Sequence, residues 1–325
     1  MYSSAAVSVA SKIGLKMGRA NLEVFADTLQ ELAKADRNIL AVTSDSRGSG
    51  KLGPYATALP DQLVELGIAE QNLVGVAAGL ASAGKIVYAV SPACFLSARS
   101  FEQIKNDVAY SDHPVKLIAI SSGVSYGALG STHHSLHDLA ALRAVNNLDI
   151  VVPADNFETK NVIRASASRT KPIYIRFGKA PLYDLPRTTD NFEIGKASEI
   201  RAGSDVAFIA TGECVIHALL AAESLKDRGL NCSVTSLHSV KPLDAEAILN
   251  AARQSRAVVT VEEHMVNGGL GEAVAAVLMQ AGVRVPLRIV GIPDEHTVTG
   301  SQADIFRHYG ISMEGLSQTA SALLK

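Results

Sequence analysis

Four stretches of the chain carry residue types whose spacing could do chemistry. In Leu66-Gly67-Ile68-Ala69-Glu70-Gln71-Asn72 a turn ends and a helix rich in Ala and Gly begins. That puts the Glu70 carboxyl at a helix N-terminus among residues that exclude water. A first-turn glutamate ordinarily balances the helix dipole. Apolar surroundings also suit a carboxyl held for proton chemistry, because desolvation raises its affinity for a proton. Gly130-Ser131-Thr132-His133-His134-Ser135-Leu136-His137-Asp138 gathers three histidines within five residues. Their spacing matches no standard metal site, so no metal ligand is assigned. One or two of them could instead be helix-entry residues facing a cleft at the carboxyl edge of a sheet, where α/β domains bind ligands. Arg176 ends the β-rich run Pro172–Lys179 and is placed to grip an anion bidentately, or else to form a salt bridge at the rim. Finally, Thr43–Gly50 follows a strand and is rich in Ser and Gly, as a phosphate-contacting loop would be, although neither a Walker pattern nor GxGxxG is present.

These residues need a scaffold, and the hydrophobic pattern supplies one. Short apolar runs at Ile39–Thr43, Ile86–Val90, Val115–Ile120, Ile150–Val152 and Ile173–Arg176 predict strands. Helical patterns near Glu70–Ala83, Ser97–Ala109, His137–Val145 and Phe157–Ser168 separate them. Apolar runs without strict alternation suit strands covered on both faces, which predicts a doubly wound parallel α/β domain. Pro181, Pro186 and several polar residues then break the pattern, and βα alternation restarts near Val206. The expected layout is an N-terminal arm at 1–17, a first domain at 18–180, a linker at 181–194 and a smaller doubly wound α/β domain at 195–325.

Composition narrows the class. The chain has 325 residues, 30 Lys plus Arg against 32 Asp plus Glu, and 47% hydrophobic residues. Such a chain is too apolar and too nearly neutral to be disordered, and it lacks the basic blocks of a nucleic-acid binder. Cys94, Cys214 and Cys232 form no CxxC pair, which fits a reducing cytoplasm rather than a disulfide framework or zinc site. Residues 1–20 carry Lys12, Lys16 and Arg19 without an acid but lack the layout of a secretory signal, and a docked arm is expected. Asn72–Ala98 approaches membrane-spanning length, but Gly84-Lys85 at its centre favours a buried helix, a turn and a buried strand.

Taken in order, the strand with Ser44-Asp45, the helix opened by GIAEQN, the Phe95-Leu96 helix start and GSTHH resemble the pyrimidine-binding domain of transketolase-type thiamine diphosphate enzymes. Residues 206–325 resemble that family's C-terminal domain, above all Val261-Glu262-Glu263-His264, Gly268-Gly269-Leu270-Gly271 and Gly291-Ile292-Pro293-Asp294. The resemblance runs from about Gly18 over nearly the whole chain. What is missing is equally informative. The family's diphosphate-and-magnesium domain carries GDG and, about one helix later, NN; no GDG occurs here, and Asn146-Asn147 is an isolated pair given no metal role. The chain therefore resembles the C-terminal half of a split transketolase. An N-terminal subunit carrying GDG and NN would complete it and hold most of the thiamine diphosphate and magnesium, and an α2β2 assembly is the natural closed arrangement.

The resemblance implies roles residue by residue. Glu70 would share a proton with the cofactor's pyrimidine nitrogen, and Phe95 would pack on that ring, with Phe101 either a second aromatic wall or a plain core residue. Asp45 would be an acid near the cofactor. His133 would hydrogen-bond the reacting oxygens of the substrate, and Arg176, with Ser49 and Arg19, would bind its phosphate. His134 and His137 receive no role. Ser121 and Leu129 stand where the full-length pattern has a His and an Asp, which points away from the general pentose phosphate reaction toward a modified ketose phosphate. Three other readings remain open. The chain could be the beta subunit of a 2-oxo acid dehydrogenase, a deoxyxylulose phosphate synthase-like half, or a non-catalytic partner. Glu70 argues against the last, since an unpaired carboxyl in a dry pocket is costly.

Overall fold

A computed structural model describes every residue except Thr188, which lies in the expected linker and outside the described residues. The strands Ile39–Thr43, Lys116–Ile120 and Ile173–Phe177 are buried at every position, as their largely apolar sequences favour, with Lys116 and Arg176 as buried charges among them. In spatial order the larger sheet runs Ser239–Lys241, Asp149–Val151, Ile173–Phe177, Lys116–Ile120, Ile86–Pro92, Ile39–Thr43 and Leu63–Glu65. All neighbours are parallel except the first pair. Register brings the carboxyl ends level: Thr43 pairs with Glu65 and with Val90, and Ile120 pairs with Phe177. The loops leaving those ends therefore meet on one edge.

Each face of this sheet is covered by its own core. Leu22, Phe25 and Leu29 join Val162 and Ile163 over one face. Leu73, Val74, Leu96, Ile104, Leu139 and Leu142 cover the other. Such two-sided cover is what lets the strands dispense with alternation. The Asn72–Ala98 stretch forms most of the helix Glu70–Ser82, a turn and the buried strand Ile86–Pro92, followed by the helix start at Ala93. No helix among the described residues is long and apolar enough to cross a membrane.

The smaller sheet runs Leu287–Ile292, Ala257–Met265, Val206–Ala210, Ser233–Ser236 and Ser198–Arg201, antiparallel only at the last pair. The helix Ser4–Lys12, capped by the Ser3 hydroxyl accepting from the Ala6 N–H at 3.0 Å, docks Ala6 and Ala10 into its core beside Val215 and Leu219. Short elements escaped the periodicity. Met17–Ala20 and Pro181–Tyr183 pair as a two-stranded clasp, and the three-residue strand Leu63–Glu65 edges the larger sheet. The helix expected over Ser97–Ala109 is broken into Ala93–Arg99, Phe101–Gln103 and a π-helical turn at Ile104–Tyr110.

The two sheets are locked together by buried polar groups. The strand Ser239–Lys241 leaves the C-terminal part to complete the larger sheet. Glu263 accepts the Val124 N–H at 2.8 Å, and the Gln302 side-chain amide donates to Glu263 at 2.8 Å and to Glu213 at 3.0 Å. Burial, then the nearby charge of Glu213, pushes Glu263 up to about 8; burial pushes Glu213 up to about 7. A folded-state pKa above the ordinary 4.5 means that the folded chain keeps a proton the unfolded chain has released. Stability therefore falls as pH rises from about 4.5 to about 8. His264 and His217, lowered to about 4 by burial from an ordinary 6.5, oppose this only below 6.5. Urea titrations should show the free chain losing stability between pH 6.5 and 8, with a shallower loss in Glu263→Gln. A stability that stays flat or rises over that range in the unsubstituted chain would contradict the raised carboxyls at this junction.

Candidate active site

The carboxyl edge of the larger sheet is organised by a glutamate that sequence reasoning missed. Glu65 ends its strand and accepts the Thr43 hydroxyl at 2.5 Å, the Asp45 N–H at 2.7 Å and the Gly67 N–H at 3.0 Å. Partial burial works against its charge, but these donors outweigh it and hold Glu65 below the ordinary carboxyl range. The latch joins the Thr43–Gly50 loop to the turn before Glu70. Asp45 sits in that loop at φ +52°, a left-handed conformation that Asp tolerates, with its side chain exposed. Ser49 is exposed further along the same loop, while Ser46 turns inward to the Val90 carbonyl at 2.8 Å.

Glu70 is the first residue of the helix Glu70–Ser82 and is 4% exposed. Both its oxygens receive one nitrogen of Arg99, at 3.1 and 3.0 Å. The same guanidinium lies over the Phe95 ring, 4.3 Å from its centroid. A planar cationic donor is thus held by a carboxylate and backed by an aromatic face. Next to it the His133 ring stands edge-on to Phe95 at 5.3 Å and to Tyr126 at 5.4 Å. The Thr132 hydroxyl is 2.9 Å from His133 Nδ1, which leaves Nε2 for another partner. Lys179 extends the row, its ammonium 4.6 Å from the centre of the Tyr126 ring. A cleft of about 540 Å³ opens against Ile68, Glu70, Gln71, Asn72 and Arg99. Size does not single it out, since a cleft of about 690 Å³ lies beside Lys105, Tyr110 and Asn147; the carboxylate and aromatic chemistry does.

Other expected residues fall elsewhere. Arg176 is 2% exposed and is committed inside the protein: its Nε lies 3.2 Å from Asp138, and an NH2 group donates to the Glu263 carbonyl at 3.0 Å. It is an interdomain key, not a phosphate grip, because no face of the guanidinium reaches solvent. Arg19 is exposed, but Glu23 at 3.4 Å and Asp27 at 2.7 Å answer its charge, and it shares no partner with Arg176. The two do not converge on one anion. Phe101 is half-buried against the core that contains Leu96 and Ile104, the core position that was its alternative. His134 is buried with its Nε2 at 2.9 Å from the Gly127 carbonyl, and His137 lies 3.3 Å from the Ser97 hydroxyl. Among the described residues no group of three His, Cys, Asp or Glu side chains is gathered to hold a metal. Arg99, Tyr126 and Lys179 carried no sequence signal, since each belongs to the site only through contacts the fold creates.

Comparison with known proteins gives both parts of the chain a family. Residues 18–183 match the model of the transketolase pyrimidine-binding domain, and residues 195–316 match the transketolase C-terminal domain. A protein of Phocaeicola vulgatus, named as a subunit of apulose-4-phosphate transketolase, is 47% identical over 302 residues, covering 93% of this chain and 96% of its own length. A protein of the same name from Actinobacillus succinogenes is 36% identical over 287 residues, covering 88% and 92%. A solved structure described as a split gene transketolase, inactive beta4 tetramer, superposes with a TM-score of 0.85 at 34% identity and covers 94% of this chain and 98% of its own.

The Arg99 pairing has a measurable consequence. Arg99 is half exposed, which limits what the pair contributes, but its loss leaves the buried Glu70 carboxylate short of a partner. Arg99→Ala should lower the unfolding free energy of the free chain by about 1–2 kcal/mol in urea, and adding Glu70→Gln should recover most of it. Unchanged stability in Arg99→Ala would contradict the pairing.

Proposed function

The chain belongs to the transketolase family and is the C-terminal subunit of a split transketolase; from that premise we propose how its residues divide the work of transferring a two-carbon ketol unit from a ketose phosphate to an aldose. The observation that carries the reading is the Glu70–Arg99–Phe95 stack. Glu70 and Phe95 already accept a flat, cationic N–H donor, and an aminopyrimidine protonated at its ring nitrogen presents the same features. The donor set therefore fits the pyrimidine of thiamine diphosphate. Magnesium and the diphosphate are assigned to the N-terminal partner, in keeping with a chain whose matched domains are the pyrimidine-binding and C-terminal ones.

When bound, thiamine diphosphate supplies the carbon nucleophile that takes up and releases the two-carbon unit. Glu70 holds a proton at the pyrimidine nitrogen, and its dry position at a helix start strengthens that hydrogen bond. Phe95 gives the ring a flat apolar seat. Asp45 adds negative charge at the mouth of the site, with Ser49 on the same loop. His133, its Nδ1 occupied by Thr132, offers Nε2 to the oxygen at the reacting carbon. The phosphate goes to Lys179, an exposed cation with no carboxylate in ion-pair range among the described residues. Lys179 replaces Arg176 and Arg19 in this role.

For the substrate, the names of the two relatives support a ketose 4-phosphate as donor. Leu129, 55% exposed, and the buried Ser121 stand where the family pattern has polar residues, which fits a donor other than the common pentose phosphates. Ile68, 73% exposed beside Glu70, supports a partner surface that closes over the cofactor, and an α2β2 assembly follows. The three buried free cysteines support a reducing, cytoplasmic setting.

Kinetics of the reconstituted pair test the assignment. Glu70→Ala should cut kcat by roughly 10²–10⁴-fold. Lys179→Gln should raise KM for a ketose phosphate donor while changing kcat little. Ile68→Asp should weaken association with the partner, read by sedimentation. A fully active Glu70→Ala pair would overturn the reading.

A further inference from the structure

One loop, residues 121–130, carries no residue assigned to the cofactor or the reacting atoms, yet is held with unusual firmness. Gly127 takes φ +45° and presses on the Gly300 carbonyl of the C-terminal domain, so that a side chain there would collide with backbone. The His134 ring nitrogen meets the Gly127 carbonyl at 2.9 Å, the Gly127 N–H donates to the Val124 carbonyl at 2.8 Å, and the Ser135 N–H donates to Gly123 at 2.8 Å. Glu263 receives the Val124 N–H from the other side. Both domains thus clamp the segment that bears Tyr126.

Tyr126 is half-buried, and its ring touches two groups with different tasks. Its edge contact with His133 is 5.4 Å between centroids, and the Lys179 ammonium lies 4.6 Å from its centre. The imidazole and the ammonium cannot stand further apart than those two contacts laid end to end. A lysine is otherwise a point charge on a flexible stem, free to follow anions at many distances. Resting on the ring's negative face, it is confined near one place.

We propose that Tyr126 is a specificity-determining residue whose ring fixes the distance between the reacting-oxygen contact at His133 and the phosphate contact at Lys179, so that the site selects ketose phosphates with the phosphate few carbons from the carbonyl. This rests on the functional reading above and deepens it. Tyr126 touches neither the reacting atoms nor the cofactor; it acts by positioning Lys179, with the C-terminal domain as its backstop.

The test uses the reconstituted pair and three donors: a tetrulose 4-phosphate, a pentulose 5-phosphate and a hexulose 6-phosphate. The unsubstituted pair should show kcat/KM falling along that series. Tyr126→Leu keeps apolar bulk but loses the ring face, and should shrink the ratio between the shortest and longest donors by about 5–10-fold, mainly through KM. Tyr126→Phe retains the face and should retain the ratio, which a merely structural role for bulk would not separate from Tyr126→Leu. If Tyr126→Leu fails to assemble, Gly127→Ala, which shifts the same loop, should likewise flatten the series. A ratio unchanged in Tyr126→Leu, or lost equally in Tyr126→Phe, overturns the proposal while leaving the transketolase reading intact. Absence of ketol transfer from every donor in the unsubstituted pair overturns that reading, and the proposal with it.

Discussion

The structure turns on a guanidinium that never sees water. Arg176 leaves the central part of the larger sheet, pairs with Asp138, and reaches across to the carbonyl of Glu263 in the other domain. Asp138 in turn receives the Tyr174 hydroxyl at 2.7 Å. An ion pair this deeply buried offers little net stability over an apolar substitute, yet removing one member strands a charge. Its effect is therefore geometric: it specifies how the C-terminal domain sits on the carboxyl edge. Everything that reads as chemistry hangs from that edge.

Two consequences follow from the docking. Loop 121–130, pinned between Glu263 and Gly300, presents Tyr126 and leads into the His133 turn. Meanwhile Glu65 latches the loop of Asp45 and Ser49 to the start of the Glu70 helix. The resulting row, Glu70, Arg99, Phe95, His133, Tyr126 and Lys179, starts at an open cleft lined by Glu70 and Arg99. The exposed Ile68 stands at its boundary, where a partner surface would meet the row. On the proposed reading, the fold would hold a cofactor's pyrimidine end and a substrate's anion, and the diphosphate would fall to another subunit.

Much of this was legible in the residues themselves. Unbroken apolar runs give the parallel strands, and a Glu opening an Ala- and Gly-rich helix gives the dry carboxyl, because both depend on local pattern and burial alone. Arg176 shows where local reading stops. Its place at a strand end suggests an anion grip, but the covering Glu263 strand comes from almost ninety residues away in the chain. Lys179, only three residues on, escapes that cover and gains its meaning from Tyr126. Arg99 likewise has no signal until the Phe95 helix and the Glu70 helix meet. Short edges such as Leu63–Glu65 and Met17–Ala20 are too brief for periodicity to register. Contacts between distant segments, not residue types, decide these positions.

The central claim is that this chain is half of a catalytic site. Ketol transfer should therefore be measured, with thiamine diphosphate and magnesium present, for the chain alone, for the N-terminal subunit alone and for their mixture. The account predicts turnover only in the mixture, rising to a plateau at equimolar subunits. Turnover by this chain alone, or none in the mixture, would contradict it.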